Sequence, residues 1–509
     1  MRNQGLGSWP RRRARVAAND IALIHDDHRW TYGELEERID RLANALRDLG
    51  VSKGDRVAYL GPNHPAFAET MFAVTALGAI FVPLNTRLAA SELAFMVNDA
   101  GVHTFVWDPR LESTAVDVVA SSAPQATVVV GDAEGSAADH AFEALIAEGS
   151  PETLDEPVAL DDDAMIMYTS GTTGMPKGVT ITHANLTWNC YNVLIDVDVS
   201  QDEVTLVSAP MFHTAALNQT YLPTFIKGGT AVLVSAFDPQ QTLELIAEHK
   251  VTWMFGVPAM FQALTQAPGW QDADLSSVRA VEAGGAPVPE ELIRTYQARG
   301  LTFMQGYGMT EASPGVLFLR AKDSLAKAGS AGTPCFFTDV RVADGNGEPV
   351  VQGEPGEVLV QGPNVMRGYW NNADATDEVL TDDGWFHSGD VAVSDEDGCL
   401  TIVDRIKDMY ISGGENVFPA EVENALYDHP AVSDCAIIGV PDERWGEVGQ
   451  AFVVLREGHT LDEDEMERFL EQRLARYKIP KSLVLVDVLP RNASGKLLKK
   501  ELSPVERDR

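Results

Sequence analysis

The chain is short of positive charge. Its 509 residues hold 39 Lys and Arg against 75 Asp and Glu, which gives a formal net charge of −36. A surface this acidic argues against nucleic acid as a partner and against adhesion to anionic lipid, and it favours solubility. It does not exclude anionic small molecules, because contacts at close range outweigh a field that physiological salt screens beyond about 8 Å.

Paired cysteines and long apolar segments are also missing. The four cysteines are scattered without paired spacing, so the sequence indicates neither a disulfide framework nor a zinc site, and a reducing cytoplasm fits best. No run of about 20 apolar residues predicts a membrane span. The basic N-terminus lacks the sustained apolar core of a secretory signal. We therefore expect a cytoplasmic protein with no integral membrane association.

Composition and hydrophobic pattern predict a layered α/β protein. With 45% hydrophobic and 22% charged residues, the chain is long enough for more than one domain. Apolar residues recur at helical spacing from Thr31 to Gly50, and strand-like and helix-like segments then alternate as far as Val130. The acidic stretch 131–157 reads as a surface insertion.

One glycine-rich loop, with the sequence YTSGTTGMPKG at 168–178, is the strongest chemical signal. It lies between an apolar run and an alternating run, so we expect a turn joining two strands. Its glycines let backbone N–H groups approach an anion, its hydroxyls add donors, and Lys177 adds a positive charge. The loop is therefore predicted to hold phosphate. It is not a Walker A loop, because Pro176 precedes the lysine and Gly178 follows it.

This loop resembles the signature loop of the adenylate-forming superfamily, which contains acyl-CoA synthetases, luciferases and the adenylation domains of peptide synthetases. The resemblance extends over nearly the whole chain, from Ala22 to Leu502. It implies that a carboxylate attacks the α-phosphate of ATP, and that a thiol or another nucleophile then takes the acyl group from the adenylate. ATP, Mg²⁺ and coenzyme A, the last as a co-substrate, are the implied small molecules.

The resemblance also implies a fold. We expect a large N-terminal domain of layered α/β subdomains, residues 1–404, that binds the nucleotide and the acyl group. A small mobile α/β domain, residues 405–509, would follow and carry the catalytic lysine, with the hinge near Lys407. We expect a helix in it from Pro419 to Tyr427. The sequence leaves the oligomeric state open and is compatible with a homodimer.

Residues for the nucleotide follow from the family's motifs. Tyr307 is expected to stack on adenine, Asp390 to receive both ribose hydroxyls, and Arg405 to contact the nucleotide. Gly413 and Gly414 match a loop that lines the pantetheine channel in members that use CoA. The full set expected to bind nucleotide or CoA is Thr169, Ser170, Gly171, Thr172, Thr173, Gly174, Lys177, Gly284, Gly285, Ala286, Gln305, Gly306, Tyr307, Gly308, Thr310, Asp390, Arg405, Gly413, Gly414 and Lys496.

The implied catalytic residues are Lys496, Thr310 and His213. Lys496 would bridge the substrate carboxylate and the α-phosphate, and Thr310 would touch the α-phosphate. Mg²⁺ prefers hard oxygen ligands and keeps several waters, so the carboxylate of Glu311 with the hydroxyl of Thr169 would suffice as protein ligands. Lysines in a basic tail such as Lys496 and Lys499 are usually exposed, but the match to the family favours a catalytic role for Lys496.

The acyl pocket is predicted from positions that line it in related adenylation domains. These positions hold small or apolar residues and no cation, which favours a neutral hydrophobic tail and disfavours diacids. His213 stands where peptide synthetases typically carry an aspartate, so a free amino acid is an unsuitable substrate. The predicted pocket residues are His213, Thr214, Leu217, Val281, Ala283, Gly306, Pro314 and Gly315. In the strand-like segment that holds two of them, alternation predicts Val281 and Ala283 on one face and Glu282 on the other.

Three functions compete at this stage. The whole pattern most resembles bacterial fatty-acyl-CoA synthetases, so a medium-chain or long-chain fatty acid is the first prediction. The second is an adenylating ligase for an aryl or alicyclic acid, with CoA, an amine or a carrier protein as the acyl acceptor. The third is a catalytically silent nucleotide-binding protein, and the intact Lys177, Glu311, Asp390 and Lys496 argue against it.

Overall fold

The computed structural model describes residues 2–132, 134–169, 175–286, 288–413, 415–442, 444–491 and 497–504. Its strands are β1 (Ile21–His25), β2 (His28–Thr31), β3 (Arg56–Leu60), β4 (Ile80–Leu84), β5 (Val102–Trp107), β6 (Ala126–Val129), β7 (His140–Ala141), β8 (Asp163–Thr169), β9 (Lys177–Thr182), β10 (Val204–Val207), β11 (Thr230–Leu233), β12 (Trp253–Gly256), β13 (Ala280–Gly284), β14 (Thr302–Gly308), β15 (Gly315–Leu319), β16 (Thr333–Pro334), β17 (Asp339–Ala343), β18 (Gly356–Gln361), β19 (Gly368–Tyr369), β20 (Phe386–Ser394), β21 (Leu400–Arg405), β22 (Tyr410–Ser412), β23 (Glu415–Val417), β24 (Val432–Asp442), β25 (Gly446–Leu455) and β26 (Ser482–Leu485).

The α-helices are α1 (Trp9–Ala17), α2 (Tyr32–Asp48), α3 (Pro65–Ala76), α4 (Ala90–Ala100), α5 (Glu112–Ser122), α6 (Phe142–Glu148), α7 (His183–Asp196), α8 (Leu222–Lys227), α9 (Pro239–His249), α10 (Pro258–Gln266), α11 (Glu290–Ala298), α12 (Ala373–Asp377), α13 (Pro419–Tyr427) and α14 (Glu463–Glu471). A π-helix covers Ala215–Tyr221, and single 3₁₀ turns cover Leu6–Ser8, Pro109–Leu111, Thr310–Ala312, Arg476–Lys478 and Lys499–Glu501. None of the helices within these described ranges is long and apolar enough to span a membrane.

The chain packs into two compact units. The first comprises Met1–Asp339 and Val360–Phe386, and the second comprises Val340–Leu359 and His387–Arg509. Both units mix helices and sheets, as the α/β prediction requires. The predicted domain boundary between residues 404 and 405 differs from this division by packing, which assigns 340–359 and 387–404 to the second unit. The predicted boundary stays a prediction.

Two large sheets form the first unit. In the described residues one sheet has the strand order β16-β15-β14-β13-β12-β10-β11-β1-β2, and the other has the order β19-β9-β8-β4-β3-β5-β6-β7. In the first sheet, the strands from β14 to β1 in that order run parallel. The carboxyl ends of parallel strands meet at one edge, where ligand sites of α/β proteins form. The loops after β13 and β14 therefore share an edge.

Helix α2 shows how local sequence defines an element of this unit. The Thr31 hydroxyl accepts from the Glu34 backbone N–H at 3.2 Å, and the Glu34 carboxylate accepts from the Thr31 N–H at 2.8 Å, which forms a capping box. The apolar positions at helical spacing are buried, and Gly50 beyond the helix has φ +99°. The structure confirms the predicted helix.

The stretch 131–157 is more than a surface insertion. It contains β7 and α6, and Phe142 at the start of α6 is fully buried. The expectation was wrong because it relied on the acidic composition of the whole stretch. Three apolar residues within it, Phe142, Leu145 and Ile146, form the buried face of a two-turn helix.

The second unit has smaller sheets. One has the order β17-β18-β20-β21, and the other has the order β23-β22-β25-β24 with β26 beside β25. Helices α13 and α14 cover a core that includes Val422, Leu426, Ile437 and Leu470. The structure confirms the predicted helix Pro419–Tyr427 at both ends.

Candidate active site

The predicted phosphate loop begins and ends on paired strands. Strands β8 and β9 are antiparallel, and Thr169 lies directly opposite Lys177 in their register. The structure therefore confirms the strands predicted on either side of the loop, and it places Thr169 beside Lys177. Ser170, Gly171, Thr172, Thr173 and Gly174 lie outside the described residues.

Lys177 and Glu311 are linked through one aromatic residue. The Lys177 Nζ lies 4.9 Å from the centroid of the Tyr369 ring, which is a favourable cation–π distance. The Tyr369 hydroxyl donates to Glu311 Oε1 at 3.0 Å. Burial and the neighbouring Glu311 carboxylate raise the pKa of Tyr369, so the phenol stays protonated and remains a donor. Tyr369 thus joins the predicted phosphate ligand to the predicted magnesium ligand.

Glu311 is also held by its backbone. Thr310, Glu311 and Ala312 form a 3₁₀ turn directly after β14, and the Met366 N–H donates to the Glu311 carbonyl at 2.7 Å. Gly308 makes this tight turn possible, because a Cβ there would lie 1.9 Å from the Pro314 carbonyl oxygen. The predicted Thr310 and Glu311 therefore share one rigid turn.

These groups suit a magnesium ion bound together with a nucleotide. Mg²⁺ is usually held by one or two carboxylates, with phosphate oxygens and water supplying its other ligands. The Glu311 carboxylate is positioned by Tyr369, and Thr169 ends the strand that leads into the phosphate loop. The donor set fits Mg²⁺, and the roles of Thr169 and Glu311 as ligands stay a prediction.

The other predicted nucleotide residues of the first unit lie at the same edge of the sheet. Gly284 ends β13, and Gly285 and Ala286 follow it as exposed residues. Gln305, Gly306, Tyr307 and Gly308 form the last four positions of β14. Gln305 is buried, and its Nε2 has no partner among the described residues.

His213 is a neutral histidine in this structure. Burial, with a smaller contribution from the charge of Arg87, lowers its pKa to about 4. Its Nε2 is buried and has no hydrogen-bond partner among the described residues, and its ring lies 4.8 Å from that of Phe212. A neutral imidazole can donate or accept one hydrogen bond from a ligand. Thr214 and Leu217, which follow it, are buried.

A buried acid stands beside the predicted pocket. Glu282 on β13 is 1% exposed, and its Oε1 accepts from Gln219 Nε2 on the π-helix at 2.9 Å. Two predicted pocket glycines adjoin this pair: a Cβ on Gly306 would lie 3.0 Å from Glu282 Oε1, and one on Gly315 would lie 3.8 Å from Gln219 Oε1. Burial raises the pKa of Glu282 to about 8.

The predicted pocket residues do not all share one face of the sheet. Val281 and Ala283 pack in a hydrophobic core with Phe303 and Ile293, on the face of β13 opposite Glu282. The predicted alternation along this strand is therefore confirmed. Gly306 lies on the Glu282 face, so the structure does not bring Val281 and Ala283 together with it, and their place in the pocket stays a prediction.

In the second unit, Asp390 and Arg405 are cross-strand neighbours. They lie opposite each other on β20 and β21, and Arg405 Nε lies 2.9 Å from Asp390 Oδ1. Glu357 holds the same strand, since it accepts from the Gly389 N–H at 2.9 Å and lies 2.9 Å from His387 Nδ1. The two residues predicted to bind the nucleotide from this unit are therefore adjacent.

The predicted CoA loop and catalytic lysine are partly described. The Gly413 N–H donates to the Trp445 carbonyl at 2.8 Å, and a Cβ on Gly413 would lie 2.9 Å from the Trp445 ring. Gly414 and Lys496 lie outside the described residues. Arg491 and Leu497, which precede and follow Lys496 in the sequence, pair as a β-bridge.

Comparison with known proteins identifies the family. A model of the AMP-binding enzyme family matches residues 10–370, and a model of the AMP-binding enzyme C-terminal domain matches residues 421–496. The chain belongs to the AMP-binding enzyme family. It is an AMP-forming acyl-CoA synthetase, which activates a carboxylic acid as an adenylate and uses ATP, Mg²⁺ and CoA.

Relatives of this AMP-binding enzyme match it from end to end. It is 54% identical to feruloyl-CoA synthases of Amycolatopsis sp and Streptomyces sp, over 99% of each chain. It is 38% identical to a long-chain-fatty-acid-CoA ligase of Mycobacterium tuberculosis, over 97% of each chain. An o-succinylbenzoate CoA synthetase from Bacillus subtilis, solved with ATP and magnesium ion, superposes with a TM-score of 0.87 at 32% identity, covering 97% of this chain and 99% of that one.

Sequence reasoning missed three groups in this AMP-binding enzyme. Tyr369 and Glu311 are 58 residues apart, and Glu282 and Gln219 are 63 apart. Tyr369 carries no signal of its own, whereas a carboxylic acid on an otherwise apolar strand is a signal that Glu282 needs a partner. The third is Lys499, expected to be exposed in the basic tail. Its side chain is 15% exposed and lies 2.8 Å from Glu423, because that buried carboxylate draws it inward.

Proposed function

We propose that this enzyme joins an aryl acid of the hydroxycinnamate type, such as ferulate, to CoA. The observation that carries the proposal is the 54% identity to feruloyl-CoA synthases across 99% of both chains, compared with 38% for the fatty-acid ligase. The acyl pocket supports it, because the buried Glu282 and Gln219 beside Gly306 are a poor lining for an aliphatic tail. The proposal replaces the fatty acid that the sequence first suggested.

In the first half-reaction we assign the phosphate end of the nucleotide to Lys177, Glu311 and the loop between β8 and β9. Bound MgATP supplies an electrophilic α-phosphorus and a pyrophosphate leaving group. Lys177 offsets negative charge on the phosphates, and Tyr369 sets its position relative to Glu311. Lys496 is assigned the role of pairing with the substrate carboxylate, whose oxygen forms the new bond to phosphorus as the bond to pyrophosphate breaks.

In the second half-reaction the thiol sulfur of CoA bonds to the acyl carbon and AMP leaves. We assign the pantetheine channel to Gly413 and Gly414, and the hinge that exchanges Lys496 for this loop to Lys407. Lys407 lies in the turn after β21 and is exposed, so a backbone rotation there meets little packing. A thiol with a pKa of about 8.5 needs no strong base.

A two-stage assay tests the proposal. Purified enzyme is mixed with ATP, Mg²⁺ and one acid, pyrophosphate is followed, and thioester is measured after CoA is added. We expect ferulate and 4-hydroxycinnamate to give thioester with kcat/KM at least tenfold above octanoate, palmitate and cyclohexanecarboxylate. Higher kcat/KM with palmitate than with any aryl acid would return the assignment to a fatty acid.

A further inference from the structure

Glu282 and Gln219 form a buried polar pair that is incomplete. Gln219 Nε2 donates to Glu282 Oε1 at 2.9 Å, but Glu282 Oε2 and Gln219 Oε1 have no partner among the described residues. Glu282 is 1% exposed and Gln219 is 7% exposed. Buried polar atoms are nearly always hydrogen-bonded, and an unsatisfied one costs about 1–3 kcal/mol. The pair therefore lacks at least one hydrogen-bond partner.

The pair lies on the face of β13 that adjoins predicted pocket glycines. A Cβ on Gly306 would lie 3.0 Å from Glu282 Oε1, and one on Gly315 would lie at an ordinary contact distance of 3.8 Å from Gln219 Oε1. On the other face of β13, Val281 and Ala283 are packed in core. Two predicted pocket glycines thus border the pair, which lies on the face of β13 away from this core.

The pair also lies further back along β13 than the nucleotide residues at the end of that strand. Gly284, Gly285 and Ala286 come at the carboxyl end of β13, and Glu282 precedes Gly284 by two residues, about 7 Å along an extended strand. An acid whose carboxylate reaches Thr310 would direct its other end toward Glu282. The group that meets the pair is therefore the end of the acid remote from the carboxylate.

The chemistry of the pair selects a hydroxyl group. A hydroxyl can donate a hydrogen bond to Gln219 Oε1, and it can also accept a hydrogen bond from a carboxylic acid or donate one to a carboxylate. We propose that Glu282 and Gln219 determine acid specificity by hydrogen bonding to a hydroxyl group on the aryl ring, opposite the chain that carries the carboxylate. This inference rests on the proposed aryl acid and names the part of it that the enzyme recognises.

The state of Glu282 agrees with this assignment. Burial raises its pKa to about 8, so at neutral pH it is mainly a neutral acid, which costs less to bury than a carboxylate. A cationic ligand group is disfavoured, because the pair then offers no full negative charge. A phenol keeps its proton in the same pH range.

The test compares two acids that differ by one hydroxyl. We expect wild-type kcat/KM for 4-hydroxycinnamate to exceed that for cinnamate by about 10² or more, because a site built around a hydroxyl rejects the analogue that lacks it. Glu282→Met should lower this ratio to within about threefold of unity, mainly by loss of activity toward 4-hydroxycinnamate. Glu282→Gln keeps a polar group and should retain an intermediate ratio.

Controls separate recognition from folding. Glu203→Gln changes another buried glutamate of the same unit, which accepts from Ser200, Thr252 and Arg279, and it should leave the ratio between the two acids unchanged. The KM for ATP and the increase in melting temperature with MgATP report whether each variant folds. Gln219→Leu gives an independent variant if Glu282→Met proves unstable.

The outcomes distinguish the two levels of the argument. If wild type forms thioester from hydroxycinnamates but Glu282→Met and Gln219→Leu both keep the wild-type ratio, the assignment of the pair is wrong and the aryl acid stands. If the wild-type kcat/KM for cinnamate equals that for 4-hydroxycinnamate, the assignment is also wrong. If wild type acts on aliphatic acids alone, the proposed function fails.

Discussion

Two sets of polar side chains in the first unit, the cluster of Lys177, Tyr369 and Glu311 and the pair of Glu282 and Gln219, differ in how far their members pair with one another. Around the phosphate loop, Lys177, Tyr369 and Glu311 satisfy one another before any ligand arrives. Around the acyl pocket, Glu282 and Gln219 are buried with oxygen atoms unpaired. A preassembled cluster suits a ligand shared by the whole family, whereas an unsatisfied pair suits a ligand that differs among members. Conserved chemistry is therefore expected in the first region and selectivity in the second.

The largest effect should come from Lys496. Lys496→Ala should lower the rate of adenylate formation by about 10² to 10³, because it removes one charge contact in the transition state. Thioester formation from preformed adenylate should be largely retained. Pyrophosphate release and single-turnover thioester formation measure the two steps separately. Equal loss in both steps, or no loss in the first, would contradict the assigned role.

Tyr369 tests whether the nucleotide region works as a connected cluster. Tyr369→Phe keeps the ring beside Lys177 and removes the hydrogen bond to Glu311, and we expect the KM for MgATP to rise about tenfold, as for loss of a bond to a charged group. Tyr369→Leu also removes the cation–π contact and should add a further factor of about three. KM values for MgATP at several Mg²⁺ concentrations measure this.

The preference of the enzyme between two acids provides the control for Tyr369. Both variants should leave the ratio of kcat/KM between 4-hydroxycinnamate and cinnamate at its wild-type value, since Tyr369 acts at the other end of the site. A changed ratio would mean that the two regions are coupled. The cluster of Lys177, Tyr369 and Glu311 would then not be independent of the acyl pocket, and the comparison drawn above would be wrong.

Lys499 extends the comparison to the second unit. Lys499 lies three residues after Lys496 in the chain and pairs with the largely buried Glu423. Next to it, the Leu498 N–H donates to the Pro490 carbonyl at 2.8 Å. Lys499→Met should slow adenylation several-fold by loosening the segment that carries Lys496, and should leave a buried charge unpaired. Lys499→Met with Glu423→Gln removes that charge and should recover stability.

The readout must separate position from stability in this case. If Lys499 positions Lys496, adenylation should stay slow in the double variant although its melting temperature recovers, while thioester formation from preformed adenylate is spared. Full recovery of adenylation together with stability would show that the pair has a structural role alone. Lys500→Met, a change at the neighbouring exposed lysine, is the matched control.

Local pattern carried most of the fold and the family motifs of the site. Strands on either side of the phosphate loop follow from the pattern of apolar residues, and the start of α13 follows from Pro419 at its first turn. The pairing of Thr169 with Lys177 is a direct consequence of a hairpin. These features depend on residues close in sequence.

Contacts between distant residues could not be predicted in this way. Alternation along β13 indicated that Glu282 faces away from Val281, but nothing in a single sequence identifies Gln219 as its partner. Lys499 shows the same limit, because its burial depends on Glu423 in another element. The acid region is therefore the part that sequence reasoning described least well, since its lining was expected to hold small or apolar residues and no cation.

The smallest effect concerns stability and pH. Burial raises the pKa of Glu282 to about 8 from an ordinary 4.5, so between these values the folded protein holds a proton that the unfolded chain has lost. The unfolded state then binds fewer protons, and stability falls as pH rises from about 4.5 to about 8 and levels off above that. Glu282→Gln removes this dependence. Its melting temperature relative to wild type should rise by a few degrees between pH 5 and pH 8.

Glu290→Gln, at an exposed carboxylate on α11, is the control and should show no such trend. A flat difference for Glu282→Gln would mean that the carboxyl group is solvated, and the unsatisfied pair would no longer distinguish the acid region from the nucleotide region.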